Sequence, residues 1–383
     1  MFAAVRRRLD VREFVRKDPV LVAALVLAAI SCAVVPPDAA YLAYVDLRTI
    51  GMLFSLMTVM AGLSRLGVFS AACRRLLAVA RGPRRLCLAL TLLAFFSSML
   101  ITNDVALVTF VPLALLALGA LGSERLTCFT VVMMTIAANL GSMFTPVGNP
   151  QNLYLYSASH MSLIEFALLM LPYTLGALAC LVAAVFVFGR ASDVEMATCG
   201  PSAAASCERP STVRIVVWAA VFLCALCSVA RLLPFQATVA VAIAAGVIVD
   251  RGALAHVDYA LLATFAAFFV FVGNMGRIEA VDTFIAGMVN GHELAVAVGA
   301  SQVLSNVPAA ILLSGFTADW PALIVGTNLG GLGTLIASMA SLISYKQLAL
   351  VLPRAKGRYI AMFTAWNAAF LAALLVLHTV LGG

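Results

Sequence analysis

Apolar residues run along this chain for close to twenty positions at a time, broken by short polar stretches. Nine such runs lie at about 20–36, 47–64, 126–152, 162–188, 213–231, 234–250, 257–275, 321–345 and 359–380. Each is long enough to approach or cross a hydrocarbon core of about 30 Å as a helix rising about 1.5 Å per residue. Two further apolar regions carry a polar break near their centres. In 86–118, "LCLALTLLAFFSSMLITNDVALVTFVPLALLAL", the break is Thr102, Asn103 and Asp104. About fifteen residues stand on either side of it, or about 22 Å of helix, which is short of the core thickness. In 283–317 the break is "LSNVPAA". A polar triplet with a carboxylate is expensive in hydrocarbon unless something satisfies it. Both regions therefore predict re-entrant helical hairpins that go halfway in, turn and come back. A third pattern, "SRLGVFSAACRRLLAVARGPRR" over 64–85, alternates apolar and basic residues at helical spacing and predicts an amphipathic helix lying in the interface. The prediction is an all-α polytopic membrane protein with nine crossings and two re-entrant hairpins.

Composition sharpens this picture. Of 383 residues, 63% are hydrophobic and 11% charged, more apolar surface than a soluble fold of this length can hide. The net charge of +7 does not call for nucleic acid, because Lys and Arg collect on the cytoplasmic loops of membrane proteins. With the N-terminus cytoplasmic and neither hairpin crossing, 21 of the 24 Lys and Arg fall inside, leaving Arg48, Arg231 and Arg277 outside. Nine crossings then put the C-terminus outside. The charged start, with Asp10, Glu13 and Asp18 and no small-residue cleavage site after it, reads as the lead-in to an uncleaved first span. The nine cysteines are odd in number and scattered, and Cys224 and Cys227 form a C-x-x-C inside an apolar run, so no disulfide framework is expected. His160, His256, His292 and His378 have no metal spacing. No nucleophile–base pair accompanies Asp104, the one acid deep in a hydrocarbon segment, so no enzyme is expected.

The chain also repeats. After residues 1–45, the N-terminal cytoplasmic segment and first span, one order of elements occupies 46–189 and again 213–383, on either side of a polar linker at 190–212. A span starts after Asp46 or Asp258, a hairpin follows whose break carries Asn103 or Asn306, and a span follows whose interruption begins Asn-Leu-Gly. The interruptions read "AANLGSMFTPVGNPQN" (137–152) and "GTNLGGLGTLIASMAS" (326–341). By the charge count the first hairpin starts from the cytoplasm and the second from outside. This is an inverted-topology repeat, which places a binding site near the midplane where the breaks meet. Helix N-termini at the breaks present free N–H groups and a positive dipole end, and unwound Gly, Asn and Thr positions present carbonyls. The alternative is that Asn103, Asp104 and Asn306 only cap helices. The candidate site residues are Ser98, Thr102, Asn103, Asp104, Asn139, Gly141, Ser142, Thr145, Gly148, Asn149, Ser305, Asn306, Asn328, Gly330, Gly331 and Thr334. Beyond a Na⁺ ion that Asn103, Asp104 and Gly141 could hold, no cofactor is expected.

"SSMLITNDVALVTFVPL", followed by "AANLGSMFTPVGNPQN" and mirrored by "LSNVPAA" and "GTNLGG", resembles the ion transporter superfamily: arsenite permeases, citrate-type permeases, divalent-anion/sodium symporters and some sodium/proton antiporters. The resemblance covers nearly the whole chain after about residue 45. It implies an elevator-type transporter in the cell membrane, commonly a homodimer, with a scaffold part and a moving part that carries both hairpin tips. In the carboxylate symporters the tips read Ser-Asn-Thr and hold the substrate carboxylate and sodium. Here Asn103 and Asn306 match and Asp104 and Val307 do not, which is closer to the arsenite-permease branch. The function expected is transport of a small inorganic or organic anion or oxyacid coupled to H⁺ or Na⁺. An ionised Asp104 would repel a nearby anion, and protonation or a bound Na⁺ removes that repulsion. The alternative is a cation/proton antiporter with Asp104 as the exchanged site.

Overall fold

The computed structural model describes residues 18–79, 82–119, 121–188 and 211–382. The N-terminal segment before Asp18, expected from sequence to be cytoplasmic, and nearly all of the 190–212 linker lie outside them. The described residues form α-helices and one 3-10 turn, with no strand among them. In chain order the helices are α1 (Pro19–Val34), α2 (Tyr41–Tyr44), α3 (Leu47–Arg65), α4 (Val68–Val79), α5 (Pro83–Ser97), α6 (Asn103–Gly119), α7 (Glu124–Ser142), α8 (Pro150–Ala158) and α9 (Leu163–Phe188). They continue as α10 (Thr212–Val229), α11 (Phe235–Ile248), α12 (Arg251–Ala255), α13 (Tyr259–Met275), α14 (Glu279–Val289), α15 (Glu293–Leu304), α16 (Asn306–Ser314), α17 (Trp320–Gly330), α18 (Met339–Val351) and α19 (Lys356–Val380).

Five stretches, α3, α7, α9, α10 and Pro353–Val380, are long and apolar enough to cross a membrane, which makes this a multi-pass membrane protein. The other sequence-predicted spans are shorter helices. α1 has 16 residues, α11 has 14, and α13 turns through 105° into α14. The 321–345 span is two helices, α17 and α18, around a break. The 126–152 span is likewise α7 and α8 around a break, and it runs on to Ala158.

The second hairpin is shorter than the pattern suggests. Of 283–317, the part before Val289 belongs to α14, a separate helix, and the hairpin itself is α15 and α16. α14 stands before the second hairpin as α4 stands before the first. The amphipathic stretch at 64–85 resolves into α4, set off from α3 by Gly67 at a φ of 71°.

Local rules place these ends. Asp46 accepts from the Arg48 and Thr49 amides at 3.0 Å and starts α3; Asp258 accepts from Leu261 N at 2.9 Å and starts α13. Pro150 and Pro321 occupy first-turn positions, where a missing N–H costs nothing. α7 is the axis of the molecule, with every residue from Leu126 to Ser142 buried. Its Thr127, Thr130 and Thr135 hydroxyls donate to carbonyls four residues back at 3.0, 2.8 and 2.7 Å, so the polar groups are satisfied within the helix.

Packing follows the repeated order. Each hairpin lays its first arm against the helix that follows the hairpin, α5 on α7 and α15 on α17. Each returning arm packs on the post-break helix of the other half, α6 on α18 and α16 on α8. The opening helices exchange in the same way, α1 against α13 and α11 against α3.

Candidate functional site

The two hairpins reverse differently. The first takes the five residues Ser98–Thr102. The second takes one, Ser305, at φ 76° and ψ 153°, a region open essentially to glycine alone. Nevertheless both tips are tied to the breaks by the same bonds. Asn103 N donates to Gly148 O at 3.2 Å, and Asn306 N to Ala337 O at 2.9 Å. The Thr145 hydroxyl donates to Met99 O and accepts from Gly148 N; the Thr334 hydroxyl donates to Gln302 O at 3.0 Å and accepts from Ala337 N at 3.2 Å. A Cβ on Gly141 would lie 2.6 Å from Ser98 Oγ, and one on Gly330 would lie 2.6 Å from Ser301 Oγ, so both positions need glycine for the hairpin arm to pack. One contact has no counterpart. Gln302 clamps the second break, donating to Gly330 O at 3.0 Å and Leu332 O at 2.9 Å and accepting from Thr334 N at 2.9 Å.

The two break asparagines bridge the halves. Asn139 Oδ1 accepts from Asn103 Nδ2 and from Ser338 Oγ, both at 3.0 Å, and its Nδ2 faces Ser341 Oγ at 3.4 Å. Asn328 Nδ2 donates to Asn152 Oδ1 at 2.7 Å and Ile324 O at 2.8 Å. Ser142 accepts from Asn149 Nδ2 and donates to Asn139 O at 2.9 Å, which folds the first break back on α7.

Between the tips lies a cavity of about 10 Å³, room for one water-sized guest. Its walls are Asn103, Asp104, Asn149, Pro150, Gln151, Leu261, Asn306, Val307, Ser338 and Met339. Eight of these are four matching pairs from the two halves: Asn103 with Asn306, Asp104 with Val307, Asn149 with Ser338, and Pro150 with Met339. Four helices start there, α6, α8, α16 and α18, and all present their N-terminal ends. No Lys or Arg lines the cavity, so its positive potential comes from backbone, up to about half a charge per helix end. Against this stands Asp104, whose Oδ1 is buried without a hydrogen-bond partner among the described residues. Asn149 Oδ1 and both amide atoms of Gln151 are equally without partners. Asn103 Oδ1 accepts from Asp104 N at 2.9 Å, so it is Asn103 that tethers the start of α6.

Of the residues picked out from sequence, Asn103, Asp104, Asn149 and Asn306 line this cavity. Ser305 forms the turn beside it, and Thr102 precedes the first tip. Asn139, Ser142, Gly148 and Gly331 stand directly behind, with the Gly331 Cβ position 3.0 Å from Asn306 Nδ2. Ser98, Gly141, Thr145, Asn328, Gly330 and Thr334 support hairpin or interhalf packing and do not line it, and Thr334 is exposed. Gln151, Ser338, Leu261 and Met339 line it unanticipated. Pro150 was the available signal for Gln151, since a proline in the first turn of a helix puts the next side chain at the dipole end. A larger cavity, about 480 Å³, opens elsewhere between the base of the second hairpin and helices α9 and α19, with Tyr173, Glu293, Asp319 and His378 in its wall.

Apolar spans whose broken helices bring four N-termini to one buried polar cavity define a membrane transporter. Residues 11–323 match the family model described as citrate transporter, and the chain belongs to that family, part of the ion transporter superfamily. It is similar to an uncharacterized transporter of Methanocaldococcus jannaschii, 32% identical over 278 residues, 70% of this chain and 73% of that protein. It is also similar to the inner membrane protein YbiR of Escherichia coli, 29% identical over 310 residues, 79% of this chain and 80% of that one. A shorter match, 36% identical over 141 residues, covers 36% of this chain and 28% of a silicon efflux transporter of Oryza sativa subsp. japonica.

Proposed function

We propose that this protein is a secondary active transporter that moves a small oxyacid or its anion across the cytoplasmic membrane, coupled to H⁺ or Na⁺ at Asp104, by alternating access. One observation carries the reading. Four helix N-termini, in two pairs matched between the halves, meet at a cavity whose one charged side chain is Asp104. Such ends attract an anion, and a carboxylate among them admits it only when a proton or Na⁺ cancels its charge. A relative named as a silicon efflux transporter is compatible with an oxyacid cargo.

The halves 46–189 and 213–383 are read as inverted repeats joined by the 190–212 linker, with nine crossings, the N-terminus cytoplasmic and the C-terminus outside. The exchanged packing of α1, α3, α11 and α13 supports this, as does the matched bonding of Thr145 and Thr334. In an elevator-type homodimer the moving part would be the hairpins with the broken spans. The cavity is closed to about 10 Å³, so cargo larger than water needs the tips to part.

The test is uptake by purified protein in proteoliposomes, with small oxyanions supplied under imposed Na⁺ and pH gradients. Uptake that follows one of the gradients supports the assignment. A second reading rests on the three unpartnered oxygens, Asp104 Oδ1, Asn149 Oδ1 and Gln151 Oε1, which suit a hard cation. Sodium-dependent proton movement without any added anion, and no oxyanion uptake, would move the assignment to a cation/proton antiporter.

A further inference from the structure

Gln151 is fully buried in the first turn of α8, lines the cavity between the tips, and has no partner for either Nε2 or Oε1 among the described residues. An amide buried without partners loses its hydration for nothing, and a folded protein keeps such a group where something else pairs it. Two neighbours in the wall share the condition, Asp104 Oδ1 and Asn149 Oδ1, and both are acceptors. The unpaired set is thus three acceptors and one donor. A bare cation pairs with the oxygens and leaves Nε2 facing a like charge. A fully ionised anion pairs with Nε2 and the helix ends and leaves the three oxygens facing a negative surface. A ligand that satisfies all four brings O–H donors and an oxygen acceptor on one small centre.

Resting on the transporter reading above, we infer that Gln151 is the specificity-determining residue of the cavity, accepting from a ligand hydroxyl and donating to a ligand oxygen, so that the site selects hydroxylated oxyacids over oxyanions of the same shape without O–H groups. Discrimination by leaving buried groups unpaired is the strong kind, because the wrong ligand carries the penalty of each orphaned atom.

Hydrogen phosphate and sulfate make the test pair, since both are tetrahedral and near in size while at neutral pH only the first carries an O–H. Binding of each to the purified full chain is measured by calorimetry and by thermal shift. Wild type is expected to prefer hydrogen phosphate by at least about tenfold, the worth of one or two buried hydrogen bonds. Gln151→Met, nearly the same volume without polar atoms, should lower that preference by at least about threefold, the remainder being held by Asp104 Oδ1 and Asn149 Oδ1. Its ligand-free melting temperature should equal or exceed that of wild type, because two unpaired buried atoms are gone. A preference unchanged in Gln151→Met would overturn the inference and leave the transporter reading standing. So would a lowered ligand-free melting temperature with the preference intact, which would make Gln151 a structural group paired through water. A wild type that binds neither anion nor arsenite, at any Na⁺ concentration or pH tried, would overturn both.

Discussion

Truncating Asn139 to Ala should separate the two halves of the molecule energetically. The side chain accepts from Asn103 and Ser338 at 3.0 Å each and reaches Ser341 at 3.4 Å, so it joins the first tip, its own helix and the opposite break. Hydrogen bonds between membrane helices average about 0.6 kcal/mol and reach about 1.7. Two well-formed bonds and one long one, plus the orphaning of Asn103 Nδ2, come to about 2–3 kcal/mol. The matched control is Asn367→Ala, also fully buried, whose Nδ2 donates only to Phe363 O in its own helix at 2.9 Å. That change should cost about 1 kcal/mol or less. The assay is equilibrium unfolding in detergent, read by intrinsic fluorescence, for both variants, for Asn103→Ala, and for Asn103→Ala with Asn139→Ala. The cycle should show a coupling of at least about 0.5 kcal/mol. Strict additivity, or a loss at Asn139 no larger than at Asn367, would refute the reasoning and reduce the bridge to a coincidence of packing.

Asp104→Asn should insert and fold like wild type, since Asn103 and not Asp104 tethers α6, yet uptake should lose its response to pH or Na⁺; flux measured across a grid of both would expose a retained response, which would end the coupling role. Gly141→Ala and Gly330→Ala should each lower folded yield and stability by about 1–3 kcal/mol or more, because their Cβ atoms would fall 2.1 Å from Phe95 O and 2.6 Å from Ser301 Oγ; equal effects at the two sites would mark them as equivalents, and a neutral melting temperature at either would contradict the close approach. Ser305→Gly should raise the melting temperature, relieving about 1–3 kcal/mol of backbone strain, and a fall in stability would mean that the Ser305 hydroxyl outweighs the strain.

Much of the fold was legible because polar groups in hydrocarbon are too costly to be incidental. Asn103 and Asp104, Asn306, and the two Asn-Leu-Gly interruptions announced the turns and breaks before any coordinate did. What periodicity could not give was geometry that depends on partners. α14 is apolar enough to merge with the second hairpin on paper, and what separates them is the break at Asn290–His292, where Gly291 takes a φ of 82°. Gln151 sits in the quoted break sequence, but nothing in a one-dimensional pattern tells which of Asn149, Gln151 and Asn152 ends up unpaired. Asn152 finds Asn328, 176 residues away, and Gln151 finds nothing. Thr334 reads like Thr145 and does bond alike, yet it is exposed, because the second break lies nearer the surface of the molecule than the first.

The hairpins reach their shared cavity on arms of unequal length. The first has arms of 15 and 17 residues, about 22–25 Å of helix, and the second has 12 and 9, about 13–18 Å. On the inverted arrangement proposed above, in which the hairpins enter from opposite faces, the cavity is off centre in the dielectric. An ion arriving past the second hairpin crosses about two-fifths of the electrical distance, and one arriving past the first crosses about three-fifths. At about 2.3 kcal/mol per charge per 100 mV, those steps sense about 0.9 and about 1.4 kcal/mol per 100 mV. On that arrangement binding from the two sides would be unequally sensitive to voltage, and a membrane potential would bias loading of the site even where cargo and coupling ion are at equal concentrations across the bilayer.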